Sequence, residues 1–371
     1  MKYVHLMPID SPIFNEEFIS ITNTSSRESS HFFVLKHYNE NILKNKNNCI
    51  IDKNMFRVKN IKLLLGKYDF VVLHSNFFSK LEIMSFKTRH LKKMIWCVWG
   101  HDLYKVDMVP KTVSLLIWVR NILKSVFKPY IDRLIRRRIS KFAAVVIGYN
   151  ADKIEIKNKY GKIPILSGLY GSGYYKNDID SILEEKSNST QESINILIGH
   201  NAFPYLKHEK YLNILQKYKN ENIKIYLLLS YGYMDYAEKI ANMALSLYKN
   251  KVVVINAFMD KIEYLKLLSN IDIAIFDFEH QAAFGNLISL IYMKKKIYLS
   301  AQGIMSKGLR LENIIVYDCD DIGKIDYKDF VSHDPTDYNT IYVEKLLDKE
   351  YIANQWNNVW GYFENNSLGN K

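Results

Sequence analysis

The chain has 371 residues, of which 48% are hydrophobic and 13% aromatic, and its formal net charge is +12. This length and hydrophobic content exclude a disordered chain and predict two packed domains. Its three cysteines, Cys49, Cys97 and Cys319, are far apart, which argues against a disulfide framework or a structural zinc site. No apolar run reaches the ~18 residues of a membrane span, so we expect a cytoplasmic protein that is soluble or peripheral.

Short apolar runs alternate with helical patterns along the chain, which is typical of parallel α/β folds. A polar stretch near residues 184–193 separates two such series. We predict an N-terminal domain over 1–180, a linker over 181–193, a second domain over 194–335, and C-terminal helices over 336–371 that return toward the first domain. The predicted strands are Tyr3–Met7, Phe32–Leu35, Phe70–His74, Met94–Val98 and Ala143–Gly148, then Ile194–Gly199, Lys224–Leu229, Val252–Ile255, Ile271–Phe276, Ile297–Ser300 and Ile314–Tyr317.

The most informative stretch of the first series is W-G-H-D-L-Y, residues 99–104. Gly100 ends an apolar run and allows a tight turn, which delivers His101 and Asp102 just past the carboxyl end of a strand. Open α/β sheets bind ligands there. The flanking rings of Trp99 and Tyr104 suit the face of a sugar, and the carboxylate can accept a hydroxyl proton. A solvated turn in which Asp102 caps the next helix fits equally well.

A strongly basic segment follows, from Lys105 to Lys141. Its apolar residues, among them Leu115 and Trp118, share one face at helical spacing. A basic amphipathic segment with tryptophan is typical of a helix that lies on an anionic membrane, although an ordinary surface helix fits the same pattern. The residues that we expect at the membrane are Trp118, Arg120, Arg136, Arg137 and Arg138.

Three polar turns follow predicted strands in the second series: residues 199–201, 230–233 and 280–286. A glycine at a strand end lets a phosphate approach backbone N–H groups, and the N-terminus of the apolar helix after the third turn suits a diphosphate. An aromatic ring in the second turn can stack on a nucleobase. Each turn alone also fits ordinary loop chemistry. The candidate donor-site residues are Gly199, His200, Asn201, His208, Gly232, Tyr233, Gln281, Gly285 and Asn286.

With these residues the chain resembles the bacterial 4-acetamido-4,6-dideoxygalactose (Fuc4NAc) transferases of enterobacterial common antigen synthesis, glycosyltransferase family 56. The most specific shared pattern is W-x-x-W-G-x-D-L-Y, residues 96–104, and the resemblance covers nearly the whole chain. His200, Phe203-Pro204 and Ala282-Ala283 depart from the family pattern in loops that we expect near the donor. Other shared positions are His5, Asp10, Pro12, Asn15, Asn23, His74, Phe77, Gly199, His208, Gly232, Tyr233, Tyr264, Leu265, Leu267, Leu268, Asp272, Phe278, Gln281, Gly285 and Leu287.

The resemblance implies an α/β GT-B fold, in which two Rossmann-like, doubly wound domains face each other across a cleft. It also implies a dTDP-sugar donor, a polyprenyl-diphosphate-linked oligosaccharide acceptor, no metal cofactor, and a peripheral location on the cytoplasmic face of the inner membrane. We therefore predict transfer of Fuc4NAc or a similar deoxyamino sugar to a lipid-linked glycan. Asp102 is the predicted base, with His101, Asp10 and His5 as alternatives. The residues expected at the acceptor are Asn15, His74, Trp99 and Tyr104.

Two other classes of function stay open at this point. A nucleotide-sugar epimerase of the same fold would use the donor turns without a lipid, and the basic segment argues against it. The net charge of +12 suggests a nucleic-acid-binding protein. However, the sequence contains no helix-turn-helix or RNP-like motif, and we expect no nucleic acid partner.

Overall fold

The computed structural model describes residues 1–8, 12–25, 29–36, 48–104, 128–171, 173–186 and 193–368. The chain divides into two compact units. Met1–Gly171 and Glu350–Lys371 form the first unit, and Ser172–Lys349 form the second. Each unit is built around its own β-sheet and its own buried hydrophobic core.

The first unit contains a seven-stranded parallel sheet with the order β3-β2-β1-β4-β5-β6-β7. The strand order reverses between β1 and β4. Because both faces of the sheet are covered, the strands are almost continuously apolar. The strands are β1 Lys2–Met7, β2 Ser30–Leu35, β3 Cys49–Ile51, β4 Phe70–His74, β5 Met94–Cys97, β6 Ala144–Ile147 and β7 Ile165–Ser167, and the helices are Pro12–Ser25, Val58–Lys67, Lys80–Ser85, Thr88–Leu91, His101–Tyr104, 128–139, Asn150–Tyr160 and Lys349–Leu368.

The second unit contains a six-stranded parallel sheet with the order β10-β9-β8-β11-β12-β13. Here the strand order reverses between β8 and β11. The strands are β8 Ile194–Ile198, β9 Ile223–Leu228, β10 Val252–Ile255, β11 Ile273–Phe276, β12 Lys296–Leu299 and β13 Tyr317–Asp318, and the helices are Lys176–Lys186, His208–Ile214, Met234–Tyr248, Lys261–Ser269, Phe284–Tyr292, Ile304–Leu311, Tyr327–Val331 and Asp337–Glu344.

The units divide earlier than the predicted linker. Lys176–Lys186 is a helix that extends into the predicted linker, and residues 187–192 lie outside the described part. This helix belongs to the second unit, where Asp178 pairs with Lys261 at 2.5 Å and Asp180 accepts a hydrogen bond from Tyr292 at 2.7 Å. The chain therefore divides after Gly171 rather than near residue 180.

The predicted C-terminal helices belong to different units. In the second unit, Asn339 on the helix Asp337–Glu344 exchanges two hydrogen bonds with the backbone of Ile315, at 3.0 and 3.1 Å. Residues 350–368 belong instead to the first unit. There Trp356 is fully buried, and its Nε1 donates to the Leu169 carbonyl oxygen at 2.9 Å.

Candidate functional site

The carboxylate of Asp102 is fixed at the carboxyl end of β5 by three N–H donors. Oδ2 accepts from the backbone of Asn76 and from Nε1 of Trp96, both at 2.7 Å, and Oδ1 accepts from the backbone of Trp99 at 3.0 Å. Gly100 forms the turn with a φ of 81°. Asp102 therefore ties the ends of β4 and β5 together. It lies within the helix His101–Tyr104, and its carboxylate bonds to residues that precede this helix. Because it is half-buried and Oδ1 has a single protein donor, that oxygen is the one that can accept a substrate proton.

The alternative bases do not share this setting. His5 lies in the middle of β1 with no exposed surface and is hydrogen-bonded through both ring nitrogens, so it does not fit a base that contacts an acceptor. Burial, together with the neighbouring histidines, lowers the pKa of His5 well below its ordinary value. Asp10 and the side chain of His101 lie outside the described part of the chain.

The residues predicted at the acceptor fall into two groups. Asn15 and His74 are buried, at 4% and 1% exposure, so they support the fold behind the sheet edge. Trp99 is partly exposed, and its ring packs on Tyr170 with 4.7 Å between ring centroids. Only Trp99 and Tyr104, which is also partly exposed, thus offer accessible surface among these four.

Tyr104 is hydrogen-bonded to a buried carboxylate, that of Asp152, which the sequence analysis does not single out. Its hydroxyl donates to Oδ1 of Asp152 at 2.5 Å, and Asp152 has no exposed surface. Desolvation by burial raises the pKa of Asp152 from 3.8 to about 7. The sequence gives no signal for this contact, because an aspartate in the first turn of a helix is an ordinary choice.

The substitution Asp152→Asn is expected to change how stability depends on pH. The folded protein holds the Asp152 proton more tightly than the unfolded chain, so ionisation costs stability as pH rises from about 4 to 7, by up to about 1.4 kcal/mol per pH unit. Asparagine stays neutral. Thermal unfolding should therefore show the variant gaining stability over the parent between about pH 5 and pH 8. A constant difference would contradict the raised pKa.

The predicted membrane segment is described only from residue 128 onward, so Trp118 and Arg120 lie outside the described residues. On the helix 128–139, Arg136 and Arg137 are exposed, as is Arg133. Arg138 is partly buried, and its guanidinium donates to the carbonyl oxygens of Ile83, at 3.0 Å, and Phe86. It is therefore less accessible than Arg136 and Arg137, and its place at a membrane surface stays a prediction.

Exposed apolar side chains accompany these arginines. Leu81 and Met84, on the helix Lys80–Ser85, are 82% and 43% exposed, and Tyr130 and Ile131, on the helix 128–139, are 66% and 40% exposed. An ion pair of 2.5 Å between Lys80 and Asp132 joins the two helices. We call this surface the basic–apolar patch, and it consists of Leu81, Met84, Tyr130, Ile131, Arg133, Arg136 and Arg137.

In the second unit the turns after β8 and β9 are joined by backbone hydrogen bonds. The backbone N–H of Ala202 donates to Tyr231 at 2.7 Å, and that of Tyr233 donates to Ala202 at 3.0 Å. Gly232 has a φ of 123°, and a Cβ there would lie 2.7 Å from the Ala202 backbone. Only glycine permits this close approach.

Three buried polar atoms near the ends of β8 and β11 have no hydrogen-bond partner among the described residues: Nδ1 of His200, Nε2 of His208 and Oε1 of Gln281. Such atoms cost stability unless a ligand or water bonds to them. Burial lowers the pKa of His200 to about 3 and that of His208 to about 4, so both rings are neutral. The ring of His200 can hydrogen-bond to a sugar, but neither ring supplies charge to a diphosphate.

A charged cluster that sequence reasoning missed lies beside these atoms. Asp277 directly follows β11 and accepts hydrogen bonds from Lys207 at 2.9 Å, Lys210 at 3.0 Å and Tyr211 at 2.6 Å. Burial alone would raise the pKa of Asp277, but these three donors hold it below its usual range. Lys207 keeps 41% of its side chain exposed. The position of Asp277 at a strand end is the signal that could have found the cluster.

The helix after the third turn begins earlier than predicted, at Phe284, so Gly285 and Asn286 lie in its first turn. Asn286 does not point a free amide at a phosphate, because its Nδ2 donates to the hydroxyl of Tyr264 at 2.8 Å. Asn201 is also engaged, since its Oδ1 accepts from the backbone of Phe203 at 3.0 Å. The backbone of this helix start, rather than the Asn286 side chain, is the feature suited to a diphosphate.

The sheet brings the three turns together. They follow β8, β9 and β11, which are neighbours in the order β9-β8-β11, so they meet at one edge. The strand order reverses between β8 and β11, which is where open α/β sheets bind ligands. The predicted donor residues thus surround the expected ligand crevice of the second unit.

Solved structures with the same fold are glycosyltransferases. A glycosyltransferase from Rickettsia africae is 16% identical, with a TM-score of 0.63 over 100% of this chain and 99% of that one. Anabaena HepE, solved with UDP and glucose, is 12% identical, with a TM-score of 0.60 over 98% of this chain and 100% of that one. WaaG, a glycosyltransferase of lipopolysaccharide biosynthesis, is 10% identical, with a TM-score of 0.54 and 95% coverage of both chains. The fold is therefore GT-B, as predicted.

The family follows from the sequence itself. Residues 5–331 match the family described as 4-alpha-L-fucosyltransferase, glycosyl transferase group 56. The chain belongs to this family and is a glycosyltransferase, which confirms the resemblance and the predicted enzyme class. No curated protein sequence matches the chain significantly. Within the described residues, no helix is long and apolar enough to cross a membrane.

Proposed function

We propose that this enzyme transfers a deoxyamino sugar, Fuc4NAc or a relative, from dTDP to a polyprenyl-diphosphate-linked glycan during bacterial surface polysaccharide synthesis. The observation that carries the donor half is the cluster of unsatisfied buried polar atoms of His200, His208 and Gln281, at the point where the strand order of the second unit reverses. The UDP bound in the Anabaena structure of the same fold supports a nucleotide-sugar donor.

The charged and the neutral parts of the donor bind to different groups at this edge of the second unit's sheet. The first turn of the helix Phe284–Tyr292 offers backbone N–H groups and a positive dipole end to the diphosphate, and the half-exposed Lys207 adds a cation. The neutral ring of His200 binds the sugar through a hydrogen bond, whereas His208, which has no exposed surface, packs beneath the Gly199 turn and supports it. Tyr231 stacks parallel on Phe258, with 6.0 Å between centroids, and offers an aromatic face to the base.

Transfer requires neutralisation of the leaving diphosphate and removal of a proton from the acceptor hydroxyl. We propose that the groups above perform the first task without a metal ion. We assign the second task to Oδ1 of Asp102 in the first unit, with Trp99 covering the acceptor sugar. The basic–apolar patch holds the enzyme on the cytoplasmic face of the membrane that carries the acceptor.

The substitution Gly285→Val is expected to abolish dTDP binding by the full-length enzyme, measured by calorimetry. A branched side chain in the first turn of this helix blocks the approach of a diphosphate to the backbone. Gly323→Val is the matched control, because a Cβ at Gly323 in the same unit meets nothing within 4 Å. Parent-like dTDP affinity in Gly285→Val would remove the helix start from the donor site.

A further inference from the structure

Three histidines and one tyrosine form a continuous hydrogen-bond chain inside the first unit. Nδ1 of His31 bonds to Nε2 of His5 at 2.9 Å, and Nδ1 of His5 bonds to Nε2 of His74 at 3.0 Å. The remaining nitrogen of His74, Nδ1, bonds to the hydroxyl of Tyr170. The histidines lie on β2, β1 and β4, which are neighbours in the sheet, and Tyr170 follows β7.

All three rings are neutral at physiological pH. Burial lowers the pKa of His31 and of His74 to about 3, and that of His5 well below its ordinary value. A neutral imidazole has one N–H donor and one acceptor nitrogen. Because His5 bonds through both nitrogens, reversing one bond forces the others to reverse. All the hydrogen bonds that link the three histidines and Tyr170 therefore point in one of two directions.

The nitrogen at the end of this hydrogen-bond chain, Nε2 of His31, indicates which direction is present. Nε2 of His31 is buried and has no hydrogen-bond partner among the described residues. If every ring donated through Nε2, this end would be a buried N–H group without an acceptor, which is rare in native proteins. If every ring donates through Nδ1, only a nitrogen lone pair is left there. His74 then donates to the oxygen of Tyr170.

In this direction the proton of the Tyr170 hydroxyl is left for another acceptor. Two further side chains reach this hydroxyl: the indole N–H of Trp99, which can only donate to it, and the thiol of Cys97, whose sulfur accepts hydrogen bonds only weakly. Tyr170 is partly exposed and packs on Trp99, whose loop follows the carboxyl end of β5. An oxygen atom bound beside Trp99 would be a stronger acceptor for this proton than sulfur.

We propose that the chain of His31, His5 and His74 fixes Tyr170 as a hydrogen-bond donor to an oxygen atom of the bound acceptor glycan. Tyr170 touches the substrate, and the three histidines are positioning residues. The role of Tyr170 rests on the proposed function, which assigns the acceptor to the first unit. The direction of the chain does not.

Nitrogen NMR of the histidine side chains in the full-length enzyme tests the direction, because it distinguishes the two neutral tautomers. We expect the Nδ1–H form for His5, His31 and His74. The Nε2–H form at any of the three overturns the proposed direction.

Acceptor kinetics test the role of Tyr170. The substitution Tyr170→Phe removes only the hydroxyl and should raise KM for the acceptor about tenfold, the effect of one lost hydrogen bond, with dTDP affinity unchanged. In His74→Asn the amide lies near the position of Nδ1 and keeps the donor to Tyr170, so KM should stay close to the parent value. His74→Gln should resemble Tyr170→Phe.

An unchanged acceptor KM in a Tyr170→Phe variant that unfolds at the parent temperature overturns the inference. So does an equal KM in His74→Asn and His74→Gln when both variants are folded. Tyr170→Phe alone decides the question if the histidine variants fail to fold. Absence of transfer by the parent enzyme would instead refute the proposed function, so the two failures are distinguishable.

Discussion

The substitution Asp102→Asn is expected to lower the turnover number by about 100-fold or more, the usual contribution of a general base. Asparagine keeps the shape of the side chain, and its amide oxygen can still accept from Asn76 and Trp96. The turn that joins β4 and β5 should therefore survive with the loss of the hydrogen bond from Trp99, and the unfolding temperature of the variant checks this. The dTDP affinity should stay unchanged, because the proposed donor groups lie in the second unit. Steady-state kinetics together with calorimetry measure both quantities.

Asp326→Asn serves as the control for loss of a capping carboxylate. Asp326 accepts a hydrogen bond from the backbone of Asp329 at 2.8 Å at the start of the helix Tyr327–Val331. This variant should keep full turnover. If Asp102→Asn behaves in the same way, Asp102 is a structural residue only, and attention shifts to His101 and Asp10.

Changing Arg133, Arg136 and Arg137 together to glutamine is expected to weaken binding to anionic vesicles by roughly two decades at low salt. Each basic residue near an anionic bilayer contributes on the order of 1 kcal/mol. Activity on a long-chain polyprenyl acceptor should fall with vesicle binding. Activity on a short, water-soluble acceptor should survive, because Asp102 and the donor site are untouched.

A variant in which Lys53, Lys59 and Lys67 are changed to glutamine is the control for the loss of net charge. These lysines are exposed elsewhere in the first unit. This variant loses the same net charge but should bind vesicles like the parent. Equal loss by both triple variants would mean that no particular surface docks on the membrane. Equal loss on both acceptors would assign the arginines a structural role.

The fold could be predicted from the sequence because strands buried on both faces are continuous apolar runs. Phe70–His74 and Val252–Ile255 have the predicted ends. The three-residue strands Cys49–Ile51 and Ile165–Ser167 were not predicted, because runs so short carry no periodicity. The predicted linker overlaps the helix Lys176–Lys186 because this helix is mostly polar in sequence. Its two isoleucines, Ile179 and Ile182, are buried, and ion pairs and hydrogen bonds distant in sequence hold it in the second unit.

The positions of candidate site residues could be predicted where these residues directly follow a strand or begin a helix. Asp102, Gly199 and Gly285 each come just after a strand or open a helix, and the sheet brings such positions to one edge. Side-chain partners distant in sequence could not be predicted. Asp277 meets Lys207 across 70 positions, and Arg138 meets Ile83 across 55, so the sequence shows only an isolated aspartate and a run of arginines.

The central claim is tested most directly by mass spectrometry of the products formed from a panel of dTDP-sugars and polyprenyl-diphosphate-linked glycans. We predict a product in which one deoxyamino sugar has been added to the lipid-linked glycan, formed only when both substrates are present, together with released dTDP. Conversion of the dTDP-sugar to an isomer without an acceptor would indicate an epimerase. That result, or transfer from UDP-sugars but from none of the dTDP-sugars, would contradict the account.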